Sequence, residues 1–436
     1  MEKLNQVAKT RDAFPAVARL LSLDRDVLRD ILSRLPVKSL IRCTSVCKTW
    51  IPIIKSQDLI RKHLIRALNS NDLLLLHTVS GEECKTVLHK TLVKELTEEV
   101  YSVRYDAEDL GLYCPIEFPI SHKKKLHNSF LRVVGVCDGL VCLADDIFRY
   151  GSTFIIWNPC IRKSVTLPSP GVTFRKNGGY DATIGFGFDA TTNDYKVVRL
   201  VVDQVGSPTI AEVYSLANGS WTSPRPVTPE CEIDGAAFQA SVNGALHWPA
   251  IPRKTVDDLC YFILAFDLGS ELFREMPMPE SFEWHTSLGL QLSVSGDRKS
   301  IALFVMDHRC ANYENYFLDI WVMKDYGIYE SWTRLIRLGP QGPERRLPRA
   351  LGFRKSGEVL LSLCGERNHV DGRSPNELGS LDPASREYIS TEITGYDYCV
   401  VDSYTESLLL LDKVSNKEKE QEISFYNSYV LGLSTT

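Results

Sequence analysis

From about residue 70 onward the chain repeats one pattern: two short apolar runs joined by a tight turn, then a second such pair, at intervals of roughly 50 to 60 residues. The first pairs are Val134–Leu143, Phe238–Trp248, Leu290–Val305 and Leu351–Leu363. A fifth, Ile184–Phe188 to Tyr195–Val198, has a longer Asn/Asp turn. Asp138-Gly139 and Asn243-Gly244 supply the positive backbone angles that two-residue hairpin turns require. The second pairs are Phe154–Pro159, Ala211–Ser215 with Trp221, Ile263–Leu268 with Phe273, Asp319–Met323 with Trp332, and Leu378–Pro383 with Tyr388. A strand array of this period folds as a ring of about six blades, which removes the exposed edges of an open sheet. Tyr398–Val401 and Ser407–Asp412 read as half of a sixth blade, with Asp72–Val79 completing it and closing the ring. Residues 82–125 fit the pattern poorly, and Lys94–Glu99 suggests a short helix or an inserted loop there.

The stretch before residue 70 has a different period. Leu23, Val27, Leu28, Ile31, Leu32 and Leu35 recur at helical spacing, with Asp24 and Asp26 suited to the positive end of a helix. Pro36 cannot continue that helix. A second helix is predicted after it, with Leu40, Ile41, Val46, Cys47 and Trp50 as its apolar positions. So small a helical hairpin carries more apolar surface than it can bury alone, so a partner surface is expected to cover the excess. Charge divides the chain at the same place. Residues 22–64 hold nine Lys/Arg against four Asp/Glu, in a chain whose net charge is −5. The basic residues are spread around the helices with no arginine-rich stripe, which speaks against a nucleic-acid groove, and a basic surface also suits an acidic protein partner. Two cores, separable near residue 70, are the expectation.

These residues resemble two known families. Leu23-x-x-Asp26-Val27-Leu28-x-Asp30-Ile31-Leu32-Ser33-Arg34-Leu35-Pro36-Val37-Lys38-Ser39-Leu40, followed by Val46-Cys47-Lys48-x-Trp50, is similar to an F-box of the plant type. Asp24 and Gln57 stand where that family often has proline, and Asp24 is able to cap the helix instead. Val136–Val141, Ile156–Pro159, Gly185–Asp189 and Asn193–Val198 resemble signatures of the F-box-associated domain, a kelch-like propeller lacking the double-glycine element of true kelch repeats. The resemblance implies a tail (1–20), an F-box (21–66), a kelch-like β-propeller (71–415) and a second tail (416–436). It implies a substrate-recognition subunit of an SCF-type ubiquitin ligase. Its F-box would dock an acidic SKP-type adaptor and, through it, cullin, while the propeller would hold the protein to be ubiquitinated. The adaptor-binding residues so implied are Leu23, Val27, Leu28, Ile31, Leu32, Leu35, Pro36, Leu40, Ile41, Val46 and Trp50.

Catalytic chemistry finds little support. Gly185-x-Gly187-x-x-Ala190 imitates a dinucleotide fingerprint, but a turn and a strand follow it where a phosphate site needs a helix start. No P-loop or nucleophile elbow is present, and Cys43/Cys47 and Cys137/Cys142 lack complementary ligand pairs at zinc spacing. His122 and His127 flank a lysine run that reads as solvated loop. The expectation is therefore a non-catalytic receptor without cofactor or metal, meeting no nucleic acid or membrane. The rival is a propeller enzyme such as a carbohydrate-active hydrolase with an incidental helical extension. The twelve scattered cysteines and the absence of an apolar leader point to a cytoplasmic or nuclear setting. Candidate recognition loops are Arg175–Tyr180, Asp203–Thr209, Ile251–Lys254, Asp307–Tyr316 and Gly365–Pro375, whose common face the sequence does not give.

Overall fold

Asp24 caps the first helix: its carboxylate accepts from the Asp26 amide at 2.8 Å, and α1 runs over Arg25–Leu32. Pro36, with φ −57° and ψ 149°, stands ahead of α2 (Val37–Val46). Two further helices follow, α3 (Ile51–Ile54) and α4 (Gln57–Ser70). The structure is a computed structural model that describes residues 24–70, 72–88, 91–118, 130–146, 153–203, 208–233, 239–253, 261–279, 288–307, 316–342, 345–364 and 376–413. Leu23, both tails and His122 and His127 lie outside the described residues. So do most of the candidate loops: 204–207, 254, 308–315 and 365–375.

Contacts divide the chain into two units, one formed by Met1–Asn71, Cys160–Lys163 and Thr405–Thr436, the other by Asp72–Pro159 and Ser164–Tyr404. Two cores are present, but no single cut in the sequence separates them. In the helical unit, Leu28, Leu32, Val37, Leu40, Trp50, Ile53, Ile54, Leu59 and Ile60 share one core with Leu408 and Leu411, and Cys160 and Ile161 pack against it. Polar contacts fasten these distant segments. The Gln57 amide donates to Asp412 at 2.7 Å, the Cys160 thiol to the Ser407 carbonyl at 3.0 Å, and Lys163 Nζ to the Lys413 carbonyl at 2.8 Å. Ser407–Asp412 is therefore a strap in the helical core, not the blade strand expected from its leucine run. Trp50 likewise lies beyond α2, at the start of α3, with its ring in the core.

The second unit is a six-bladed propeller, with six sheets among the described residues. The first three strands are β1 (Leu73–Leu88), β2 (Thr91–Tyr105) and β3 (Leu112–Ile116). Blade 2 is β4 (Arg132–Cys137), β5 (Leu140–Ala144), β6 (Phe154–Asn158) and β7 (Lys163–Thr166). After the short helix α5 (Phe174–Asn177), blade 3 is β8 (Tyr180–Asp189), β9 (Asp194–Asp203), β10 (Ile210–Ser215), β11 (Ser220–Trp221) and β12 (Arg225–Pro226). Blade 4 is β13 (Cys231–Ile233), β14 (Ala240–Val242), β15 (Ala245–Pro252), β16 (Phe262–Asp267) and β17 (Phe273–Pro277). Blade 5 is β18 (Leu288–Val294), β19 (Ile301–Asp307), β20 (Leu318–Met323) and β21 (Trp332–Leu338). Blade 6 is β22 (Leu347–Phe353), β23 (Val359–Cys364), β24 (Glu377–Leu381) and β25 (Tyr388–Thr394). The last strand, β26 (Tyr398–Tyr404), pairs with β1 to give the sheet β26-β1-β2-β3 and close the ring, with Leu73 opposite Tyr404 and Val79 opposite Tyr398.

The closing blade explains two features of the sequence. Leu73–Leu76 does not alternate because both faces of β1 are buried. Leu73 and Leu75 pack with Val133, Leu143 and Trp157 of blade 2, while Leu74 and Leu76 pack with Leu360 and Leu378 of blade 6. Residues 82–88 and 91–99 are neither helix nor inserted loop: they continue β1 and β2, with Gly81 opposite Leu96 and Glu83 opposite Lys94. Cross-strand pairing here overrides the local helical preference of Lys94–Glu99. The expected turns are present, with φ of 52° and 82° at Asp138 and Gly139 and of 51° and 71° at Asn243 and Gly244.

Candidate functional site

Two surfaces are candidates, one in each unit. In the helical unit, α4 holds α1 along one flank. Asp30 accepts from Arg34 at 2.6 Å, Lys62 at 2.9 Å and Arg66 at 2.9 Å, and these cations hold its carboxyl well below the usual carboxylate range. Arg66 also donates to Ser33, and His63 Nε2 donates to the Leu35 carbonyl at 3.0 Å, satisfying the chain end that Pro36 leaves open. Burial pulls the His63 imidazole below its ordinary pKa, so it is a neutral fixture.

This arrangement divides the residues expected at the adaptor. Leu28, Leu32, Leu40 and Trp50 are core, and Leu35 and Ile41 are half-buried against them. Val27 and Ile31, one turn apart on α1, face outward at 49% and 39% exposure. Pro36 is exposed, and Val46 at the end of α2 is 61% exposed. Exposed Lys38, Arg42 and Lys48 lie on or just beyond the same helix as Val46. Ile65 and Leu68, an i,i+3 pair left exposed on α4, were missed by the sequence reading; the signal is that they fall beside the buried stripe of Leu59, Ile60, Leu64 and Ala67 and not within it.

In the propeller, side chains of neighbouring inner strands fix strand polarity. Asp402, near the end of β26, accepts from the Val136 amide near the end of β4 at 3.1 Å. Tyr195 donates to Asp138, just past β4, at 2.8 Å, and Tyr195 sits opposite Phe188 near the end of β8. The Gln239 side chain accepts from the Phe186 amide at 2.9 Å and donates to its carbonyl at 2.8 Å, imitating a strand across the blade boundary. Arg298, in the turn after β18, donates to Ser403 at 2.7 Å. The inner strands thus all run the same way, so the connections before β8 and after β9, β15, β19 and β23 emerge at the face where inner strands begin. The described strand ends that flank the five candidate loops lie at that leading face. At the opposite end of the ring, burial raises the pKa of both Asp138 and Asp402 and pushes the Cys137 thiol up, with the two carboxylates adding to it. Both carboxylates are engaged in bonds that join blades, which suits packing more than proton transfer.

Comparison with known proteins gives two matches along the chain. The model for the F-box domain matches residues 20–62, and that for the F-box associated beta propeller domain matches residues 91–368. Among relatives, the Arabidopsis thaliana F-box protein At3g07870 is 27% identical over 389 residues, 83% of this chain and 85% of that one. The Arabidopsis thaliana F-box/kelch-repeat protein At3g23880 is 27% identical over 73% of this chain and 79% of its own. The F-box protein CPR1 of the same plant is 24% identical over 72% and 73%.

Proposed function

The chain belongs to the family of F-box proteins that carry an F-box-associated β-propeller, and from that premise we propose that it is the substrate-recognition subunit of an SCF-type ubiquitin ligase. The observation that carries the reading is the division of the helical unit into a self-contained core and an outward apolar set, Val27, Ile31, Pro36 and Val46, with basic residues beside it. An aliphatic set of this kind is what a partner groove takes from a helix, and exposed lysines and arginines speed encounter with an acidic adaptor. The propeller supplies a second, separate surface, the leading face, on which a protein substrate is held. The receptor makes and breaks no covalent bond. It raises the concentration of substrate beside the conjugating enzyme that the cullin recruits. Work of this kind belongs in the cytoplasm or nucleus, where ubiquitin is conjugated.

The test uses purified full-length chain and a purified acidic SKP-type adaptor. A one-to-one complex by native mass spectrometry is the expected result. Absence of any complex at micromolar concentrations refutes the reading, because a propeller hydrolase has no use for the adaptor.

A further inference from the structure

Described residues of two candidate loops, Asn177, Gly179 and Tyr180 of one and Pro208 of the other, line a pocket in blade 3. It has a volume of about 230 Å³ and is walled by Val172, Tyr180, Val201, Ile210 and Pro226, with Asn177 at its rim. The pairings Tyr180↔Asp203 and Val201↔Ile210 place it where β8 and β10 begin and β9 ends, on the leading face. Val172, Tyr180 and Val201 are themselves buried as one apolar cluster, with Ile210 and Ala182 packed against them.

One wall of this pocket is fixed from beneath. Arg199 and Glu212, fully buried and paired at 2.7 Å, lie one step below Val201 and Ile210 on the same face of the sheet. Glu212 accepts from the Gly171 and Val172 amides at 2.7 and 3.1 Å, and Arg199 donates to the Val172 carbonyl at 2.9 Å. The Arg199 guanidinium also sits over the Tyr180 ring, 4.8 Å from its centre. Gly171 is required for this approach, since a Cβ there would meet Glu212 Oε1 at 2.8 Å. A buried ion pair thus pins the connection that forms the wall, and the cavity is shaped before anything enters it.

We propose that this pocket is the anchor site for a single aromatic side chain of the protein substrate. The proposal rests on the receptor reading above and adds the chemistry that the leading face recognises. Size selects the occupant. An apolar cavity of about 150 Å³ accepts benzene, whereas pockets for drug-sized molecules run from about 300 Å³ upward. The space in blade 3 lies between these and admits one ring with its methylene. Its apolar walls reject a charged group, which would lose its hydration without gaining a partner. Aromatic anchors seated in preformed pockets carry most of the energy of many protein interfaces.

The test pans a library of random dodecapeptides against immobilised full-length chain, wild type, Ile210→Phe and Asn177→Trp, with free indole as a second probe. Ile210→Phe fills the pocket from within. Asn177→Trp covers its mouth from an exposed position, so a folding defect in the first variant leaves the second decisive. Wild type is expected to enrich peptides that share one aromatic position, and both variants to bind those peptides at least about 30-fold more weakly. Enriched peptides without a common aromatic, equal enrichment by the folded variants, or no enrichment at all overturns the proposal. So does saturable indole binding without aromatic peptides, which assigns the pocket to a free small ligand. Adaptor binding measured on the same preparations separates the two ideas: its loss in wild type refutes the receptor, whereas its retention beside a failed panning refutes only the anchor.

Discussion

Replacing Leu408 by alanine should loosen helices that lie more than 300 residues earlier in the sequence. Leu408 is fully buried in the core that holds Leu28, Leu32, Leu40 and Trp50. Truncating such a leucine costs about 3–5 kcal/mol, from lost transfer energy and the cavity left behind. A core built from so few residues seldom supplies more than about 3–5 kcal/mol in total. The loss is thus comparable to the stability of the whole helical unit. At about 1.4 kcal/mol per tenfold, 3 kcal/mol raises the open population roughly 100-fold. Hydrogen exchange read by mass spectrometry on the full chain should show peptides from α1 and α2 exchanging about 100-fold faster in Leu408→Ala, with β8–β9 unchanged. Lys413→Ala, at an exposed position bonded through its backbone amide and carbonyl, serves as the control. Unaltered protection of α1 and α2 in Leu408→Ala would refute the role given to the strap. The same reasoning predicts that a fragment ending at residue 70 captures adaptor more weakly than the intact chain.

Ile31→Asp should weaken adaptor binding by about 2–4 kcal/mol, roughly 30- to 1,000-fold by calorimetry, because a carboxylate enters an apolar contact while the exposed position spares the fold. Burial holds the His247 imidazole down at about 4, and it is neutral in the folded chain, Nδ1 donating to the Ala240 carbonyl and Nε2 accepting from Tyr326, which Arg274 holds. The unfolded chain protonates near 6.5, so this stability is complete above about pH 6.5 and declines by roughly 3 kcal/mol as pH falls to 4. Urea midpoints from pH 7 to 4.5 should show the decline, and His247→Gln should flatten it; an equal slope in that variant would rule out His247 as its source. Glu212→Ala strands the buried Arg199 charge and should destabilise the propeller by about 3–5 kcal/mol in urea titrations, whereas Arg199→Met with Glu212→Leu should recover most of the loss. A double variant as unstable as the single one contradicts that assignment.

What could be read from the sequence follows the range of the forces involved. The hairpin turns were legible because Asp138-Gly139 and Asn243-Gly244 fix their own backbone angles, and the start of α1 because Asp24 caps it from two residues away. Closure by Asp72–Val79 was legible because a blade short of strands needs others from somewhere. The division of the adaptor residues was not. Val27, Leu28, Ile31 and Leu32 share one period, and what separates core from surface is a strap whose leucines lie at the far end of the chain. The pocket in blade 3 was illegible for a similar reason: Val172, Tyr180, Val201, Ile210 and Pro226 come from separate strands and connections and carry no common spacing.

The central claim is that one surface of this chain holds a protein while another delivers it for destruction. It is tested most directly by expressing wild type and Ile31→Asp in plant cells, recovering bound proteins under proteasome inhibition, and following the half-life of each by pulse-chase. The account predicts a protein that both forms capture equally but whose decay only the wild type accelerates. Equal decay of every captured protein with either form would contradict it.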